Sequence, residues 1–195
     1  MANYITEQVQ ETFSSKKEWE SFVLLVQNKN YIRDDWLQTL RSKVNEMVIN
    51  SLPDEWGFIS LNLWDWRWFI KEYDANSLSL LQSGINFNLW ANRNFFEPKK
   101  TYDLLQESKY SLIKSAFDRI DCVNDSNNEY RFTETGNYLF EGELSSGNLD
   151  IDKFAWYANY KTEELANQII TKVNKFIKNP EITEMFREIN KLSKK

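Results

Sequence analysis

The spacing of apolar and polar positions divides this chain into helical and extended stretches. Ser15 and Glu18 make a capping box, and Trp19, Phe22, Val23 and Val26 recur at helical spacing up to Asn28. A second helix is predicted from Asp34 or Asp35 to about Asn50, with Asp34 as cap, Leu37, Leu40, Val44, Met47 and Val48 on one stripe, and Pro53 beyond its end. Both helices are expected to lay an apolar face on a sheet.

The period then becomes two. Ile59, Leu61 and Leu63 alternate with Ser60 and Asn62, and after that the phase slips, so that Trp64, Trp66, Trp68 and Ile70 fall on even positions. A straight strand would send these two sets to opposite faces, which predicts a bulge or tight turn near Trp64 and Asp65, or a strand covered on both sides. Asp74 to Ser77 reads as a turn, Leu78, Leu80 and Leu81 follow it, and Ile85, Phe87 and Leu89 form a further half-buried strand, which together suggest an antiparallel meander.

Beyond this meander, Thr101 is a candidate cap for a helix from Tyr102 to Ile120, whose stripe is Leu104, Leu105, Leu112, Ile113, Ala116 and Phe117. Asp121 to Glu129 reads as a polar loop, and Tyr130–Thr135 with Tyr138–Leu144 as a hairpin. Helical signals resume at Asp150 or Asp152, restart at Thr162, and start again at Asn179-Pro180, where Asn caps and Pro takes the first helical position. The expected fold is α+β: one compact domain over residues 1–195, with an antiparallel sheet of four or five strands packed by helices from both ends of the chain.

Composition narrows the chemistry. The 195 residues include no histidine and one cysteine, Cys122, which removes imidazole bases, Ser-His-Asp and Cys-His nucleophiles, His or Cys zinc sites and an internal disulfide. With five glycines and neither GxGxxG nor GxxxxGK[ST], a phosphate-binding loop is not expected. The net charge of -5 is spread along the chain and selects no partner. No basic-then-apolar leader opens the sequence and no apolar run is long enough for a membrane span, so the expected location is the cytoplasm, without membrane contact. Lysine far outnumbers arginine and asparagine is abundant, a codon signature of an AT-rich bacterial or phage genome.

Three patterns are candidates for function. Four of the eight tryptophans lie between Asp54 and Tyr73. Core packing accounts for most such residues, but Trp is also enriched where binding energy concentrates, so Trp64, Trp66, Arg67 and Trp68 are the candidate partner-binding set. Arg93, Phe95, Phe96, Lys99 and Lys100 mix basic and aromatic groups as a single-strand nucleic-acid site does. Acidic candidates are weaker. Pro53-Asp54 and Glu107-Ser108-Lys109 spell a metal-nuclease motif, but the second half falls in a helical pattern rather than on a strand, and Glu141 with Glu143 resembles the polar face of an edge strand. No cofactor and no metal site is expected. Elimination of catalytic equipment, with aromatics in excess, points to a non-enzymatic protein-binding protein, an inhibitor or immunity-type protein that blocks a host enzyme such as a nucleic-acid-guided nuclease. An RNA- or DNA-binding module is the alternative, and a carboxylate enzyme the second alternative.

Overall fold

In the computed structural model, residues 12–92, 94–115, 117, 120–125, 129–133 and 151–195 are described. Contacts divide the chain between Asp35 and Trp36 into two compact units. The first holds helix α1 (Lys16–Gln27) and the start of α2 (Lys29–Ile49). The capping box is formed: the Glu18 amide donates to Ser15 Oγ at 3.2 Å, and Glu18 Oε2 accepts from the Ser15 amide at 2.9 Å. Helix α2 starts at Lys29 and not at Asp34, which is a mid-helix residue paired with Arg33.

The second unit is α+β. Among the described residues its sheet has six strands, β1 (Trp56–Ser60), β2 (Asp65–Ile70), β3 (Ser79–Ser83), β4 (Asn86–Asn92), β5 (Ile120–Asp125) and β6 (Glu129–Thr133), in the order β1-β2-β3-β4-β6-β5, all antiparallel. The first four strands are the predicted meander. Its helices are the greater part of α2, α3 (Pro98–Gln106), the short α4 (Ser111–Lys114), α5 (Ile151–Tyr160), α6 (Thr162–Ile177) and α7 (Pro180–Ser193).

The phase slip at Trp64 is a turn. The Leu61 amide bonds Asp65 O at 2.9 Å, the Trp64 amide bonds Asn62 Oδ1 at 2.9 Å, and Asn62 Nδ2 donates to Asp65 Oδ2 at 2.6 Å, closing a hairpin between β1 and β2. The hairpin corrects the expected inward set of β1. Register pairs Trp56 with Ile70, Phe58 with Trp68 and Ser60 with Trp66, so even positions of both strands face the core, while Ile59 and Leu61 are exposed. On the other face, Gly57 opposes Phe69, whose ring lies where a Cβ would come within 2.5 Å, so no larger residue fits without displacing it.

The inner face, Trp56, Phe58, Trp66, Trp68, Ile70, Leu80, Phe87 and Leu89, is covered by helices. Trp56 meets Phe186 of α7 edge-on at 5.3 Å and donates its indole N–H to Thr183 Oγ1 at 3.1 Å; Phe87 contacts Phe176 of α6 at 5.6 Å; and Arg41 of α2 donates to Ser60 Oγ at 2.9 Å. The predicted α2 stripe is confirmed by the burial of Leu37, Leu40, Val44 and Val48. At the C-terminal end, Asn179 caps α7 as predicted, accepting from the Glu181 and Ile182 amides.

Two predicted elements differ. Helix α3 begins at Pro98, with Thr101 buried inside it and donating to Glu97 O, and the helix breaks at Glu107 into a 3₁₀ turn and α4. Pro at the first helical position was the stronger start signal. Residues 120–125 form a strand where the helix end at Ile120 and the start of the Asp121–Glu129 loop were expected, because β6 supplies a hydrogen-bonding partner that composition does not reveal. The expected hairpin arm Tyr138–Leu144, with Glu141 and Glu143, lies outside the described residues.

The C-terminal helix is tied to the sheet by one buried side chain. Asn190 accepts the Leu78 amide at 2.7 Å and donates to Leu78 O at 3.3 Å, matching a backbone donor and acceptor with one amide group. Asn190→Ala leaves both Leu78 groups buried without this partner; it is expected to lower unfolding free energy by about 2–4 kcal/mol, read from urea denaturation.

Candidate protein-binding surface

The tryptophans of β2 are core. Trp66 and Trp68 are 0% exposed, so neither presents a ring to a partner, and Trp64 is half-buried beside Ser83, Gly84 and Phe154 around a cavity of about 200 Å³. Among the described residues the indole N–H groups of Trp66 and Trp68 meet no acceptor. Burying about 200 Å² of indole is worth roughly 5 kcal/mol against roughly 1–3 kcal/mol for an unmet N–H, so burial wins.

Arg67 is also inside. It is 7% exposed, its guanidinium carbon lies 3.3 Å from the Trp90 ring centroid, and Nη1 donates to Ala75 O at 2.9 Å. Cross-strand register explains the reach: β3 lies between them, and the residue in Trp90's row is the small Ser79. The stacked cation is a structural tie from β2 to β4 and to the turn before β3. Trp66, Arg67 and Trp68 are therefore corrected from a partner-binding set to a two-sided core. Both sides of β2 are covered, the third arrangement open to a strand of this pattern.

Of the basic and aromatic candidates, Phe95 is 48% exposed and Phe96 is 3% exposed. Lys99 and Lys100 are exposed in the first turn of α3, and Arg93 lies outside the described residues. The nuclease motif does not assemble: Glu107 ends α3, and the Lys109 ammonium is engaged by Glu188 of α7, which raises its pKa above the ordinary lysine value. Among the described residues no three acidic or cysteine side chains come together to hold a metal ion, and no helix is long and apolar enough to cross a membrane.

The exposed apolar surface lies elsewhere. Helix α1 buries none of its residues, although Trp19, Phe22, Leu24, Leu25 and Val26 are each between 39% and 60% exposed. Phe13, Trp19 and Phe22 cluster, with Phe13 4.7 Å from Phe22 and 5.6 Å from Trp19, and an open groove of about 520 Å³ runs past Phe13, Ser21, Phe22 and Leu25. The cap that starts this helix is strong: Glu18 Oε2 also accepts from Ser14 Oγ and the Ser14 amide, and these bonds hold its carboxyl below the ordinary glutamate range.

A second ring surface lies on the other unit. Trp156 and Tyr160 of α5, one helical turn apart, stack at 4.9 Å, and Trp36 meets Tyr160 edge-on at 6.0 Å. Sequence reasoning took Trp19 and Phe22 for a buried stripe. The contrary signal was the unbroken run Phe22 to Val26, which wraps more than a full helical turn and cannot all face one core. No family model, curated protein or solved structure matches the chain.

Replacing a β2 ring and an α1 ring should give opposite results. Trp68→Ala is expected to cost about 3–5 kcal/mol, and Trp19→Ala to stay within about 0.5 kcal/mol of wild type, by chemical denaturation of both variants.

Proposed function

We propose that this chain is a non-enzymatic protein that binds, and thereby blocks, another protein, with α1 as the docking element. The observation that carries this reading is that a well-capped helix displays five large apolar side chains and buries none of its residues. A contiguous apolar surface of this kind on a soluble chain costs solubility and favours aggregation, and it is retained where a partner covers it. Trp19, Phe22 and Val26 follow the i, i+3 and i+7 spacing with which an amphipathic helix enters an apolar groove, and Leu25 adjoins Phe22 three positions on. Trp and Phe anchors lose little conformational entropy on docking and supply most of the buried area. The absence of histidine from the sequence and the engagement of Lys109 by Glu188 also favour binding over catalysis.

The partner fitting this helix is a protein with an apolar groove, such as an enzyme whose working cleft the helix would fill. Cytoplasmic residence and a nucleic-acid-guided nuclease as target belong to the same proposal as one concrete instance.

Tagged protein retained on a resin and exposed to a lysate of its source cells tests this reading. Wild type is expected to hold one protein that survives nuclease treatment, and Trp19→Ala/Leu25→Ala to bind it at least about 30-fold more weakly while melting like wild type. Equal retention by the folded variant would remove α1 from the interface, and retention of nucleic acid alone would overturn the reading.

A further inference from the structure

The last residues of the chain pair with the segment that precedes α3. The Glu97 amide bonds Ser193 O at 2.9 Å, Phe96 forms an antiparallel bridge with Lys194, and the Lys195 amide bonds Phe95 O at 2.9 Å. This short ladder brings together basic residues that are almost a hundred positions apart. Lys194 and Lys195 stand opposite Phe96 and Phe95, and Lys99 and Lys100 follow three positions further along the same strand-to-helix run. All four lysines are exposed.

Phe96 and Phe95 divide two tasks. Phe96 is buried and anchors the segment, whereas Phe95 is held outward with half its surface open, its amide bonded to Asn92 O and its carbonyl to Lys195. Directly opposed residues of an antiparallel pair share a side, so the Lys195 side chain leaves the backbone on the side of the open ring. Helix α3 adds to the positive field. Glu97 at its cap position makes no side-chain cap bond, and no acidic residue occupies its first turn, so the positive end of the helix dipole points to the same place. The only carboxylate in the run from Phe95 to Thr101 is Glu97.

We propose that Phe95 with Lys99, Lys100, Lys194 and Lys195 forms a binding site for single-stranded nucleic acid. One exposed ring offers a base a stacking face, and four exposed lysines and a helix N-terminus offer positive charge to the phosphates beside it. An acidic protein surface would use the lysines and leave Phe95 idle; a duplex would not give the ring an open base. This site is separate from α1, and its test does not depend on the protein-docking reading.

The test is fluorescence anisotropy with the full chain and a labelled oligonucleotide of about 12 nucleotides, run beside the matching duplex and with polyglutamate as competitor. If four phosphates are neutralised, affinity is expected to fall about 50-fold between about 50 and 200 mM salt. Lys194→Glu/Lys195→Glu and Phe95→Ala are each expected to weaken single-strand binding about tenfold or more, with circular dichroism and melting unchanged. Lys16→Glu/Lys17→Glu, on α1, is expected to bind as wild type. Absence of binding at low salt, equal loss from the α1 control, tighter binding to the duplex, or equal displacement by polyglutamate would each overturn the proposal.

Discussion

The attachment of α7 to the inner face of the sheet sets the position of most other elements in the larger unit. Three contacts fix its place: the Trp56 indole on Thr183, the paired bonds between Asn190 and Leu78, and the backbone pairing of Ser193 and Lys195 with Phe95–Glu97. Two of these join groups separated by more than a hundred residues, so each closes a long loop and is stable only when the intervening meander is already in register. Apolar burial supplies the energy and polar matching supplies the register. Trp56, Trp66, Trp68 and Phe87 make a broad apolar face that many helix positions would cover, but the observed position puts an amide side chain against the buried backbone donor and acceptor of Leu78.

That constraint decides where binding surfaces are. With α2, α6 and α7 over the inner face, and Arg67, Leu81, Asn88 and Trp90 buried on the outer one, none of the described aromatic side chains of β1 to β4 is an exposed one. In the larger unit the Trp156–Tyr160 stack and Phe95 among its lysines remain open, and in the smaller unit the rings of α1 do. The rings Trp56, Trp66, Trp68, Phe87 and Trp90 of the sheet are used in packing. Open rings lie on helices α1 and α5 and in the run that leads into α3, and the proposed binding surfaces use those of α1 and of that run.

Local patterns were legible where local physics decides. The Ser15 box, the Asn179-Pro180 start, the α2 stripe and the break at Trp64 are each fixed by a few neighbouring residues, and each was found. Burial on the second side of a strand is decided by distant partners, which is why Arg67 and Asn88 read as solvent-facing and are not. The inward face of β1 was misassigned because Ile59 and Leu61 are apolar and alternate correctly, and only pairing with Trp66, Trp68 and Ile70 selects Trp56 and Phe58 instead. Strand β5 was missed because its polar residues form a strand through β6 and not through their own preference. Of the candidate sites, the density of tryptophan drew attention to the core, while the exposed rings of α1 were visible only as an apolar run too wide for one face.

The central claim is a division of the tryptophans into a structural set and a displayed set. Tryptophan-selective chemical modification of the native protein, located by peptide mass spectrometry, tests it directly. Ready modification of Trp19 and Trp156 is expected, with Trp56, Trp66 and Trp68 modified only after denaturation. Modification of Trp66 or Trp68 in the native state at the rate of Trp19 would contradict it and return the aromatic strand to the surface.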